Sequence, residues 1–248
     1  MLQVEHENWP VSEQLPVLAE NEVHVWLAQL NRPSLVTHYR QLLVAGELER
    51  AQHFYFEHDR LRWTIAHGVL RLLLGHYTSN EPLHIELDKN AYGKPFIAQP
   101  TSLLHFNLSH SGDFALYAFA WQRELGIDIE YMRDNIDYDE LASRVFSTNE
   151  QEILRALPPA RHYQAFYNGW TRKEAYIKAR GMGLSLPLDL FDVSLLPDKP
   201  AALLASREDV REVQRWSMLT LPTPPGYTGA LVVEGTGWQL RICQWKHS

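Results

Sequence analysis

The residues best suited to chemistry are two carboxylates one residue apart, Asp128 and Glu130, in the run Gly126-Ile127-Asp128-Ile129-Glu130. The alternation reads as a short β-strand, with Ile127 and Ile129 on one face and both acids on the other. Neighbouring like charges repel, more strongly when buried, so something must compensate them. A hard divalent cation is the simplest candidate, because Mg²⁺ is usually held by one or two carboxylates together with substrate phosphates. An edge strand with a wet acidic face would show the same five residues.

A second stretch, Trp170-Thr171-Arg172-Lys173-Glu174-Ala175-Tyr176-Ile177-Lys178, reads as helix. Glu174 and Lys178 form an i,i+4 pair, which in isolation is usually surface decoration. Trp170 and Tyr176 argue that much of this helix is packed, so its charges need partners. Glu174 would add a third carboxylate to Asp128 and Glu130. Lys178, one turn on, would sit where a bound phosphate needs neutralising. The run Ser109-His110-Ser111-Gly112-Asp113 invites a Ser/His/Asp hydrolase reading. Adjacent residues on one turn rarely reach nucleophile–base geometry, however, and no Gly-x-Ser-x-Gly elbow is present. Hydroxyls and an imidazole on a strand-to-strand turn fit phosphate contacts better. The chain has no Walker loop, no Gly-x-Gly-x-x-Gly after a strand and no His-Glu-x-x-His motif.

Composition bounds these readings. The 248 residues are 45% hydrophobic and 21% charged, which suits a globular protein with ample core. A net charge of −7 gives a nucleic-acid role no support, so any anionic ligand must meet locally clustered Arg and Lys. Cys243 is the single cysteine, which excludes a disulfide framework and cysteine-rich zinc sites. Residues 1–10 are polar and acidic without a signal-peptide pattern, and no apolar run is long enough to span a membrane. A cytoplasmic location and no membrane partner are the expectations.

The elements that must position these groups follow from periodicity. Residues 1–22 read as an irregular lead-in and Val23–Leu27 as the first strand. A helical pattern runs from about Leu48 to Tyr77, with Phe54, Leu61, Ile65, Val69, Leu72 and Leu73 on one face and Arg50, Arg62 and Arg71 interspersed. Leu83–Leu87 is expected as a strand, then a turn at Lys89–Pro95, then strands at Leu104–Leu108 and Phe114–Trp121 ahead of the acidic strand. Helices are expected from Thr148 to the Pro158-Pro159 pair and from Tyr163 to Arg180, the second ended by Gly181. Strands at Phe191–Leu195, Trp216–Leu221, Thr228–Glu234 and Trp238–Trp245 complete the order. The strand-turn-strand units 106–119 and 218–233 resemble one another loosely. The fold class expected is α+β, in two similar halves, residues 1–124 and 125–248, with the acids in the second.

Tyr92-Gly93-Lys94-Pro95, Phe106-Asn-Leu-Ser-His-Ser-Gly112, Gly126-Ile-Asp-Ile-Glu130, Phe146-Ser147 with Glu150, and Trp170-Thr-x-Lys-Glu-Ala-x-x-Lys-Ala-x-Gly-x-Gly-Leu184 occur in that order. Together they resemble the 4′-phosphopantetheinyl transferases of the surfactin-synthetase-activating (Sfp) type, over roughly residues 45 to 195. The resemblance implies a monomer of two pseudo-twofold-related α+β halves with coenzyme A in the cleft between them. It implies Asp128, Glu130 and Glu174 as ligands of Mg²⁺ (or Mn²⁺), with Asp128, Glu174 and Lys178 as the catalytic set. Lys178 would contact the CoA pyrophosphate. Ser109 and His110 would touch CoA phosphates, and Tyr92, Gly93, Lys94 and Pro95 would line the adenine. Arg62 would meet the 3′-phosphate and Arg50 would be a further basic contact, both expected on one long helix. Glu47 departs from the pattern, standing where another basic residue is expected.

The activity implied is transfer of phosphopantetheine from CoA to a serine of an acyl or peptidyl carrier protein, releasing 3′,5′-ADP. Glu174 or a water on the metal would take the serine proton. Two rival readings use the same residues: a Mg²⁺-dependent phosphohydrolase acting on a nucleotide, and a non-catalytic carrier-binding module.

Overall fold

The computed structural model describes residues 9–11, 15–134 and 137–247. The lead-in expected over 1–22 lies partly outside them, at residues 1–8 and 12–14. In chain order come β1 (Glu22–Gln29), α1 (Val36–Arg40), α2 (Ala45–Gln52), α3 (Glu57–Thr78), β2 (Glu86–Lys89), β3 (Pro95–Gln99), β4 (Leu104–Ser111) and β5 (Phe114–Trp121). There follow β6 (Leu125–Tyr131), α4 (Tyr138–Val145), α5 (Thr148–Ala156), α6 (Pro159–Arg180), β7 (Phe191–Val193), β8 (Leu203–Ser206), α7 (Glu212–Arg215), β9 (Trp216–Leu221), β10 (Tyr227–Glu234) and β11 (Gln239–Gln244). The fold is α+β.

Contacts divide the chain into two compact units. The first holds the described residues of Trp9–Asn90, Pro95–Gln122 and 239–247; the second holds Ala91–Lys94 and Arg123–Trp238. Sequence reasoning expected continuous halves, 1–124 and 125–248. The structure differs at the tail because β11 pairs in parallel with β1, Glu22 opposite Gln239, and so belongs to the first unit.

In the first unit the sheet order is β11-β1-β5-β4. α3 packs on it, the Tyr117 hydroxyl donating to the Ala66 carbonyl at 2.9 Å, around a core that includes Ile65, Val69, Leu73, Leu74 and Phe119. The helical pattern expected to run unbroken from Leu48 to Tyr77 is two helices with a turn at residues 53–56. The turn folds α2 back so that Leu48 and Ala51 join Leu43, Phe54 and Trp63 in a separate small cluster. Arg50 is therefore on α2 and not on the long helix with Arg62, which corrects that expectation. The strand expected at Leu83–Leu87 is also displaced. Pro82–His84 is a 3-10 turn, and Arg71 donates to the carbonyls of Pro82 (2.6 Å) and Ile85 (3.1 Å), which draws them away from any ladder. Pairing starts only at Glu86, with β3 as its partner.

In the second unit α6 lies against β6 and β10 of the sheet β6-β10-β9. Pro159 opens α6 four residues earlier than expected, in the first turn where a missing N–H costs nothing. Gly181 ends it in the left-handed region (φ 65°), which favours glycine. Ser147 and Glu150 form a reciprocal capping box at the start of α5. α4, α7 and β8 have no counterpart in the sequence reading. The two expected strand-turn-strand units are both antiparallel hairpins, β4–β5 and β9–β10.

Candidate functional site

The acidic face of β6 is turned to α6, not to water. Three alternate residues descend the helix: Gly126 at Ala175 and Ala179, Asp128 at Lys178, Glu130 at Trp170. Gly126 is what allows the approach. A Cβ there would meet the Ala175 carbonyl oxygen at 2.1 Å and the Ala179 nitrogen at 2.3 Å, closer than any side chain tolerates. Ile127 and Ile129, fully buried on the other face, anchor the strand as their spacing predicts. Asp128 is 2% exposed, which rules out the wet-face reading.

Within this packing the charges are ordered. Lys178 Nζ donates to Asp128 Oδ1 at 2.6 Å, and Trp170 Nε1 donates to Glu130 Oε1 at 3.3 Å. Glu174 is half-buried one turn before Lys178. Burial, with the charges of Asp128 and Glu130 adding to it and Lys178 opposing, raises its carboxyl to about 7. Among the described residues no three His, Cys, Asp or Glu side chains are already arranged as a cation site. The fit to a divalent cation is one of donor chemistry: Asp128 and Glu130 add to the rise of the Glu174 carboxyl, and three neighbouring carboxylates are an oxygen set that suits a hard cation.

Neighbouring charges on α6 serve the fold instead. Lys173 is fully buried 2.7 Å from the Glu150 carboxylate and donates to the carbonyls of Leu188 and Phe191, each at 2.6 Å. Glu150 also accepts from the backbone N–H of Val193 (2.7 Å) and Ser147 (2.8 Å). Burial pushes Glu150 up and Lys173 down, each opposed by its partner. Arg172 bonds Ser194 and Thr220, and burial pulls its guanidinium down to about 10. Lys94, expected beside adenine, has its ammonium on Glu124 Oε2 (2.7 Å) and on the carbonyls of Leu125 (3.1 Å) and Ala179 (3.2 Å). It thus ties the start of β6 to the end of α6. Tyr92 is exposed, Gly93 takes a positive φ of 91°, and Pro95 begins β3.

The remaining expected residues lie in the first unit. Ser109 is buried and His110 exposed near the end of β4. Arg62 on α3 donates to Asp113 Oδ1 on the β4–β5 turn through Nε (3.0 Å) and Nη2 (2.6 Å). Arg50 is exposed on α2, its guanidinium 5.9 Å from the Phe54 ring centre. Glu47, the departure from the expected basic pattern, is the ion-pair partner of buried Arg71 and accepts from the Val44 N–H at 3.1 Å. An arginine 2% exposed needs such a partner.

Sequence reasoning missed His67, which stacks on Trp63 with ring centres 3.8 Å apart. Burial, with His110, Arg71 and Lys89 adding to it, holds its imidazole down at about 3. The available signal was its i+4 spacing from Trp63. Trp170 was read only as packing; its i+4 spacing from Glu174 was the clue to its face.

Comparison with known proteins bears on the family. Residues 124–232 match the model of the 4′-phosphopantetheinyl transferase superfamily, and residues 31–122 match that of 4′-phosphopantetheinyl transferase, N-terminal. The 4′-phosphopantetheinyl transferase HetI of Nostoc sp. is 39% identical over 90% of this chain and 92% of its own. The 4′-phosphopantetheinyl transferase Sfp of Bacillus subtilis is 37% identical over 60% of this chain and 65% of its own. Among solved structures, Thermotoga maritima holo-[acyl-carrier-protein] synthase (AcpS) aligns over 45% of this chain and 62% of that one, at 20% identity and a TM-score of 0.36. On the sequence matches, the chain belongs to the 4′-phosphopantetheinyl transferase family, of the Sfp type.

Proposed function

We propose that this chain transfers the 4′-phosphopantetheine arm of coenzyme A to a serine hydroxyl of an acyl or peptidyl carrier protein, releasing 3′,5′-ADP, with Mg²⁺ or Mn²⁺ bound. The observation that carries the reading is the buried meeting of β6 and α6, where Asp128, Glu130, Glu174 and Lys178 share one small volume. Asp128, Glu130 and Glu174 would hold the cation. Bound there, it would neutralise charge on the CoA diphosphate.

The residues of the chain account for the rest. The serine oxygen attacks the phosphorus that bears the pantetheine, and the bond from that phosphorus to the oxygen of the adenylate phosphate breaks. Glu174 is the proposed acceptor of the serine proton. Lys178 offsets charge on the departing phosphate; phosphoryl transfer asks mainly for positioning and neutralisation of this kind. Ser109 and His110 are proposed as phosphate contacts, Tyr92, Gly93 and Pro95 as adenine contacts, and Arg62 and Arg50 as 3′-phosphate contacts. Lys94 keeps its place in the adenine segment, although its ammonium serves the β6–α6 junction. We read the protein as a monomeric cytoplasmic enzyme without nucleic-acid or membrane partners. Among the described residues no helix is long and apolar enough to cross a membrane.

The test is mass spectrometry of an apo carrier protein incubated with CoA, Mg²⁺ and the enzyme. A gain of one phosphopantetheine arm, lost when the acceptor serine is changed to alanine, is the expected result. Release of nucleotide without a mass gain on the carrier would indicate a phosphohydrolase instead.

A further inference from the structure

Lys178 and a cation compete for the same oxygen. Asp128 Oδ1 is 2.6 Å from Lys178 Nζ, and Asp128 is 2% exposed. A Mg²⁺ on that oxygen would sit about 2.1 Å from it. The ammonium and the dication would then be within about 5 Å in a partly dry site, a repulsive contact of like charges. The two carboxylates beside Asp128 differ in freedom. Glu130 is steadied by the Trp170 indole, whereas Glu174 has Lys178 one turn away on its own helix. The Lys178 side chain is 27% exposed, so its flexible stem has a way out.

We infer that Lys178 is the resident counter-cation of the metal-free site and must leave Asp128 before a divalent cation can take that oxygen. This rests on the reading that Asp128, Glu130 and Glu174 hold the cation. It adds an order to binding. A cation arriving alone costs the ammonium its bond to Asp128. A cation arriving with the CoA diphosphate releases the ammonium onto phosphate oxygens. Cation and donor therefore favour one another reciprocally, and Lys178 sets the coupling.

The experiment measures Mn²⁺ binding from the free-Mn²⁺ electron paramagnetic resonance signal, with and without CoA, for wild type, Lys178→Met and Lys178→Gln. Thermal melts establish that each variant is folded. Gln keeps a hydrogen bond for Asp128 if Met leaves the carboxylate too isolated to fold around. Without CoA, the variants should bind Mn²⁺ roughly tenfold or more tightly than wild type, the scale of one charge-assisted bond. The enhancement of Mn²⁺ binding by CoA should shrink in both. A folded variant that binds Mn²⁺ no tighter than wild type, or an unchanged enhancement, overturns the inference. Asp128→Asn separates it from the reading beneath it. If Asp128→Asn binds Mn²⁺ with CoA as tightly as wild type, the cation assignment itself fails. If Asp128→Asn loses binding while the Lys178 variants match wild type, only the displacement fails.

Discussion

The two units each contain a helix of 22 residues, α3 in the first and α6 in the second, and the two bury very different surfaces. α3 hides an almost wholly apolar face, with one buried charge, Arg71, matched by Glu47. α6 hides Asn168, Thr171, Arg172 and Lys173 and carries Glu174 and Lys178 at the edge of the same packing. Buried polar groups cost stability unless each has a partner. On α6 the partners are supplied from far along the chain: Glu150 for Lys173, Ser194 and Thr220 for Arg172, Asp128 for Lys178. α3 is thus held by apolar packing and one ion pair, while α6 is held by polar partners along its length, with Glu174 and Lys178, the proposed reactive groups, at its edge.

The largest expected effect separates that edge from the scaffold. Asp128→Ala and Glu174→Ala should each lower carrier modification by roughly a thousandfold or more, since loss of a cation's charge stabilisation is worth several kcal/mol. In chelator the melting temperature of Glu174→Ala should hold or rise, because removing that acid relieves repulsion, whereas that of Asp128→Ala should fall, because Lys178 loses its partner. Steady-state transfer rates and thermal melts check both halves. Near-normal Mg²⁺-dependent turnover in either variant would break the assignment of chemistry to α6.

The next effect is on stability and uses one glycine at the packing face of each helix, Gly126 on β6 against α6 and Gly68 on α3 itself. Gly126→Ala drives a methyl into the backbone of α6, which cannot move without moving the site, and should cost about 3 kcal/mol. Gly68→Ala on α3 meets a buried side chain rather than backbone, Tyr39 at Cδ1 (2.6 Å) and Cβ (2.7 Å), and should cost about 2 kcal/mol. Urea titrations of the two variants give the order. An equal cost would mean that β6 yields to α6 more easily than the close approach implies.

How far the sequence showed this is itself uneven. Gly126-Ile-Asp-Ile-Glu130 displayed its strand and its two faces, because alternation with a period of two is a local property. It did not show that the acidic face meets a helix, since Gly126 declares a close approach without naming what approaches. Glu174 and Lys178 were visible as an i,i+4 pair, yet Lys178 pairs with Asp128, 50 residues away. The partner of Lys173, Glu150, comes from α5, and nothing in either stretch names the other. The break between α2 and α3 was hidden because Phe54 continues the apolar spacing while serving a different cluster. The tail, 239–247, was assigned by order along the chain. Its parallel pairing with β1 is a long-range event that no local pattern records.

Titration should also distinguish the two units, with opposite signs. Glu174 is raised to about 7, so the folded chain keeps a proton that the unfolded chain releases near 4.5. In chelator that contribution is greatest below 4.5 and is lost as pH rises toward 7. His67 is lowered to about 3, so the unfolded chain takes up a proton near 6.5 that the folded chain refuses. That contribution is present above 6.5 and is lost as pH falls toward 3. Each should be on the order of 2 kcal/mol after allowance for solvent access. Glu174→Gln should flatten the first slope and His67→Gln the second, read by hydrogen exchange in β6 and in α3. A His67→Gln protein with the wild-type acid slope would show that the imidazole is not held neutral.

The smallest expected effect concerns Arg62. An arginine free to meet the CoA 3′-phosphate would give a charge-assisted bond of roughly 1.5–3 kcal/mol and up to a hundredfold preference over dephospho-CoA. Arg62 instead has its Nε and Nη2 on Asp113, with Asp59 at 3.7 Å. A carboxylate already beside the guanidinium offsets part of what a phosphate would gain, so the preference should be nearer tenfold. Two variants sharpen this. Arg62→Ala should remove most of the preference while leaving dephospho-CoA turnover nearly unchanged. Asp113→Asn should increase the preference, because it removes the competing charge and keeps a hydrogen-bond acceptor for the guanidinium. The measurement is kcat/KM for both donors in all three proteins. If Arg62→Ala depresses the two donors equally, Arg62 only pins the β4–β5 turn to α3. In that event the first unit would be scaffold at this position as well.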